Sequence, residues 1–142
     1  MRKLAIAAFI ALAATACASS ETVLSTDPSE AAVVSAVGQT FDLRPGQTAR
    51  VGNDGLLVGF RGVASDSRCA VDVQCVWAGD AEVRIPVTAS RADWTSLALH
   101  TGIEPRSGTF RNYRITVLGL TPAPRSTQRI DNNSYVVTLR VE

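Results

Sequence analysis

From Gln39 onward the chain alternates apolar and polar residues with a period of two, the spacing of a half-buried strand. Phe41 and Leu43 begin it, and Pro45-Gly46 marks a turn. Gln47 to Val51 predicts a second strand, and Asn53-Asp54-Gly55 is a strong hairpin signal. Leu56, Val58 and Phe60 then alternate with Leu57, Gly59 and Arg61. Ala81, Val83, Ile85, Val87 and Ala89 share one face of the clearest strand, with Glu82, Arg84 and Thr88 on the other. Pro86 interrupts it and predicts an edge position or a bulge, because proline has no N–H for a ladder. Trp94 to His100 predicts a further strand with Leu97 and Leu99 inward, followed by a polar loop from Gly102 to Gly108. Tyr113, Ile115 and Val117 face one way on the next strand. After a long Pro/Ser/Asn connection from Thr121 to Asn133, Tyr135, Val137, Leu139 and Val141 form the last strand, with Thr138, Arg140 and Glu142 outward.

About seven short strands, turn signals roughly every ten residues and no convincing helix predict an all-β domain. The expected architecture is an antiparallel β-sandwich, Greek-key-like if the final strand closes against an early one, or a small barrel. No internal repeat recurs at a fixed period.

The first residues follow a different rule. Arg2-Lys3 is a positive start, and Leu4 to Ala14 is an apolar run too short to cross a ~30 Å hydrocarbon core as a helix. Ala14-Thr15-Ala16-Cys17 resembles a bacterial lipobox, departing from it at Ala14, where leucine is usual. Residues 1–16 therefore read as a signal peptide, and Cys17 as a site for thioether-linked diacylglycerol. Two or three acyl chains give firm anchoring. The alternative is ordinary cleavage after Ala16 and a secreted or periplasmic protein. Ala18 stands after Cys17 in place of aspartate, which resembles the default for outer-membrane sorting facing the periplasm. Residues 17–38 read as a Ser/Thr/Ala-rich tether. Within it, Asp27-Pro28-Ser29-Glu30 has the form of a helix start, so that Ala31 to Val37 could make two turns. The same residues suit a first strand. Residues 39–142 form the β domain in this reading.

Composition narrows the partners. The 142 residues carry a formal net charge of +1, and no basic run follows Lys3, so no nucleic-acid partner is expected. The expected partners are the membrane, through the N-terminal lipid, and a protein or cell-wall component.

The stretch from Asp66 to Ala81, DSRCAVDVQCVWAGDA, holds both remaining cysteines and one of the two tryptophans. A five-residue gap between Cys69 and Cys75 fits neither zinc knuckles nor redox centres, whose gaps are shorter. A structural disulfide fits, and with about seven residues in the loop the chain-entropy model gives roughly 2.4 kcal/mol. Trp77 is large enough to cover that disulfide and seal one end of the core.

These residues also carry a resemblance. Asp66, Ser67, Arg68, Cys69, Val73, Cys75, Val76, Trp77, Ala78 and Gly79 resemble the DSRCP, VxCVWAG signature of small exported bacterial proteins and lipoproteins of uncharacterised function. The departure is Ala70, where the signature has proline. The resemblance covers about a tenth of the chain; it implies an exported β domain and no activity.

Catalytic constellations are mostly missing. His100 is the sole histidine and stands in no nucleophile motif, and the glycines are scattered at turns. Asp66, Asp72 and Asp80 could gather around the cysteine loop and bind calcium, but their spacing does not match an EF-hand. Turn capping and an ion pair with Arg68 are the plainer uses. No cofactor is expected. The sequence thus points to a non-catalytic envelope lipoprotein whose β domain binds something, with Asp66–Ala81 as a structural clasp. The alternative is a small secreted hydrolase or calcium-binding protein using His100 or the acidic trio.

Overall fold

Residues 32–142 are described by the computed structural model, and among them the alternating segments become ten strands. These are β1 Val33–Ser35, β2 Thr40–Leu43, β3 Thr48–Val51, β4 Leu56–Gly59, β5 Gly62–Asp66, β6 Ala81–Ser90, β7 Asp93–His100, β8 Ser107–Phe110, β9 Tyr113–Thr121 and β10 Val136–Val141. They form two sheets that pack as a sandwich. The larger runs β1-β3-β4-β6-β5, with β7 on the other edge of β6. The smaller runs β2-β10-β9-β8. The late strand β10 pairs antiparallel with the early strand β2, the closure expected of a Greek-key-like sandwich.

The core is what the period-two pattern delivers. Ala81, Val83, Ile85 and Val87 of β6 and Val137, Leu139 and Val141 of β10 are fully buried between the sheets, with Leu43, Val58, Phe60 and Ile115 among them. Each of the larger side chains contributes roughly 1.5–3 kcal/mol by leaving water. Val58 pairs with Val87, and Leu139 with both Phe41 and Val117. A slip of one residue would turn these side chains into solvent, so burial fixes the register.

Pro86 occupies neither an edge strand nor a bulge. It lies inside β6, where one neighbouring strand hands over to the next: β4 pairs with Val87 and Thr88, whereas β5 pairs with residues from Ala81 to Arg84. The chain bends away between them at Phe60 and Arg61, so no ladder bond is asked of the proline on that side. Gly59 leaves room there, since a Cβ on it would meet the Pro86 ring at 3.0 Å.

Three strands had no clear pattern in the sequence. Val33–Ser35 takes the strand option rather than the helix, pairing parallel with β3, and so brings the sheet into the stretch read as tether. The proposed cap at Asp27-Pro28-Ser29-Glu30, the tether's beginning and Cys17 lie outside the described residues. β5 and β8 each lean on a longer neighbour, β6 and β9. Among the described residues no helix is long and apolar enough to cross a membrane.

Candidate interaction site

The β5–β6 connection is closed by a disulfide between Cys69 and Cys75, whose Cα atoms are 5.9 Å apart. Below it, the two strands keep pairing past their regular ends. The Ser67 amide donates to the Asp80 carbonyl at 2.7 Å, and the Cys69 amide to the Ala78 carbonyl at 2.7 Å. Gly79 makes this narrow neck possible. It has φ +70°, and a Cβ there would lie 1.9 Å from the Ser67 carbonyl oxygen.

The Arg68 guanidinium braces one side of the neck. It donates to both oxygens of Asp66, at 2.8 and 2.7 Å, and to the carbonyls of Leu120 at 2.5 Å and Pro122 at 2.9 Å. The Tyr135 hydroxyl donates to Asp66 at 3.0 Å. Asp66 and Arg68 are largely buried, so the pair is screened less than a surface one. Burial alone pushes the Asp66 carboxyl up, and the hydrogen bonds and charge of Arg68, helped by Tyr135, reverse this and hold it below its ordinary value. Burial and the bond to that carboxylate push the Tyr135 phenol up.

Asp80 braces the other side. Its carboxylate accepts from the backbone amides of Gly102 at 2.8 Å and Thr101 at 3.1 Å, and lies 2.6 Å from His100 Nδ1. Burial raises the carboxyl, and the Gly102 amide and His100 outweigh it, so Asp80 also titrates below the ordinary range. A histidine on a carboxylate is two members of a general-base triad. Here no hydroxyl or thiol is hydrogen-bonded to the other ring nitrogen among the described residues, and Asp80 is engaged by the 101–102 backbone. The pair ties loop 101–106 to the neck.

Asp72 sits farther out. It is exposed, and it accepts from the Ser126 amide at 2.9 Å and hydroxyl at 2.7 Å, bonds that lower its pKa. The Val71 amide donates to the Pro124 carbonyl at 3.0 Å, so the loop is strapped to the 121–134 connection at two points. The acidic trio is therefore not gathered. Asp66 faces Arg68, Asp72 faces Ser126 and Asp80 faces His100. Among the described residues no group of three histidine, cysteine, aspartate or glutamate side chains is placed to hold a metal.

Trp77 corrects the sequence reading most sharply. It does not seal the core; it is 81% exposed, and Val76 beside it 89%. The neck explains this. Pairing of Cys69 with Ala78 sends residues 76 and 77 outward, beyond the end of the sandwich. The position under the neck belongs to Tyr135, which is 5% exposed with its hydroxyl on Asp66. Val71, Val73 and, on the neighbouring loop, Ile103 are also exposed. The result is an apolar tip on a polar, heavily bonded base. Single exposed apolar residues are ordinary; several on one braced loop are not.

No family model, curated protein or solved structure matches this chain.

Proposed function

We propose that this is an exported bacterial envelope protein, lipid-anchored through Cys17, whose β-sandwich is a non-catalytic binding module for a protein or cell-wall partner. The observation that carries the binding reading is the exposed Val76-Trp77 pair on a loop fixed by a disulfide, two carboxylate networks and two straps. A loop held in one shape loses little conformational freedom on binding, and tryptophan is the residue type most often dominant in an interface. Lipidation is supported by the leader pattern and by Cys17 being left over when Cys69 and Cys75 pair.

Two experiments test the two halves. An alkyne fatty acid fed to cells should label the wild type and leave Cys17→Ser unlabelled; equal labelling of both would sink the anchor. A photo-crosslinking residue at Val76, activated in intact envelopes, should give a discrete adduct that Trp77→Ala removes. A smear of adducts indifferent to Trp77→Ala would rule out the loop tip as the recognition surface.

A further inference from the structure

The registers of the larger sheet place five residues in one row across its outer face: Val34, Arg50, Leu57, Thr88 and Trp94. Four strand spacings of about 4.8 Å make the row roughly 19 Å long. Its two ends are apolar and open, Val34 being 77% and Trp94 68% exposed. Beside Trp94, Leu57, Pro86 and Thr88 wall a shallow, mainly apolar depression of about 420 Å³. Arg91 lines the same depression, and Arg61 the adjoining one.

The face also carries an excess of arginine. Arg50 and Arg84 point outward from β3 and β6, joined at the rim by Arg61 and Arg91; Glu82 is paired with Arg84 at 2.7 Å, and Asp93, beside Trp94, is paired with Arg111. The outer face of the smaller sheet is balanced, with Arg114 and Arg140 against Asp42 and Glu142. The near-neutral sequence thus hides a basic side that only the strand pairing assembles.

We infer that this outer face lies on an anionic phospholipid surface, Trp94 at the headgroup level and the surrounding arginines on lipid phosphates. Tryptophan favours that boundary, and each arginine near an anionic surface adds attraction. The path of the chain agrees. β1, inside the stretch read as tether, is part of this same sheet, and its Val34 is in the row. The residues between Cys17 and Val33 reach at most ~50 Å when extended, enough for the face to settle on the surface that holds the lipid. The cysteine loop precedes Ala81, at the end of β6 far from Thr88 and Trp94, so the tip lies off to one side of the row. The inference rests on the lipid anchor proposed above.

The test uses the chain from residue 17 with Cys17→Ser, so that no acyl group contributes and the fatty-acid labelling decides the anchor separately. Vesicles of phosphatidylglycerol and phosphatidylcholine in equal parts should sediment the protein, and phosphatidylcholine alone should not. Raising the salt should release it. The double variant Arg50→Gln/Arg91→Gln should bind roughly thirtyfold more weakly, from the attraction of two surface arginines. Tryptophan emission should shift to the blue on anionic vesicles in Trp77→Phe and stay unshifted in Trp94→Phe. Absence of sedimentation, equal binding to both vesicles, or a shift that follows Trp77 would overturn the inference. So would saturable binding of a soluble saccharide or peptide at Trp94 without vesicle binding.

Discussion

The base and the tip of the cysteine loop are built by opposite rules within a dozen residues. At the base, Asp66, Arg68 and Asp80 are largely withdrawn from water and every charge meets a partner. At the tip, Val76 and Trp77 are apolar and almost wholly in water. A folded chain gains nothing by exposing a tryptophan, but it gains shape from anchoring the strands beneath it. The contrast teaches that what holds the loop and what the loop presents to water are separable here: residues a few positions apart do one or the other.

The largest test of that separation is Gly79→Ala. Its Cβ would be forced against backbone, not against a side chain that can move, in a conformation alanine resists. A loss of roughly 3 kcal/mol or more is expected in urea unfolding. A loss under about 1 kcal/mol would mean the neck rearranges freely and the base is no brace.

Arg68→Ala comes next. It strands a shielded carboxylate and leaves the carbonyls of Leu120 and Pro122 without this donor. At neutral pH the cost should be about 2–3 kcal/mol, under the range for fully buried pairs because these side chains keep some contact with water. The pH dependence sharpens it. Asp66 and Asp80 both titrate below their ordinary value in the fold. As acid is added, the unfolded chain therefore takes up protons first. Their stabilisation is complete above about pH 4 and drains away as pH falls through the lowered folded values. Without Arg68 the remaining influence of burial pushes Asp66 upward, so protonation relieves the variant. Its deficit relative to wild type should shrink between pH 7 and pH 3, measured by urea midpoints at both.

Removing the disulfide with Cys69→Ser/Cys75→Ser should cost roughly 2 kcal/mol, the loop-closure value for so short a loop. A much smaller loss would show that the hydrogen-bonded neck and the straps at Asp72 and Val71 already hold the loop closed. At the far end of the scale, Trp77→Ala should change stability by less than about 0.5 kcal/mol while removing the Val76 adduct. The core tryptophan expected from sequence would instead have cost about 3–5 kcal/mol, so this one variant separates the two readings of the loop.

The sequence was most readable where one face of a strand is buried. β6 and β10 alternate almost without fault, because water on one side and core on the other leave each position little choice. β5 and β8 escaped notice because each is short and turns a single large apolar side chain, Val63 or Phe110, to the core, and pairing with a longer neighbour does the rest. The Asp66–Arg68 pair could be foreseen, since its partners are two positions apart. The bonds of Arg68 to Leu120, of Asp72 to Ser126 and of Asp80 to Gly102 could not, because they join segments that only the tertiary fold brings together. Trp77 was misread for a related reason. Its size favours a core, and nothing local announces that the neck will turn it outward.

The pairing of β10 also sets an order in time. Its residues stand between β2 and β9, and Val137 meets Leu43 across almost the whole domain. The smaller sheet therefore has a missing middle until β10 has been synthesised. Contacts so distant along the chain form late and slowly. In the exported protein proposed above that delay is protective, because a chain threading an export channel must still be unfolded. The smaller sheet cannot close over the core before β10 is made, so until then the chain has not committed to its shape.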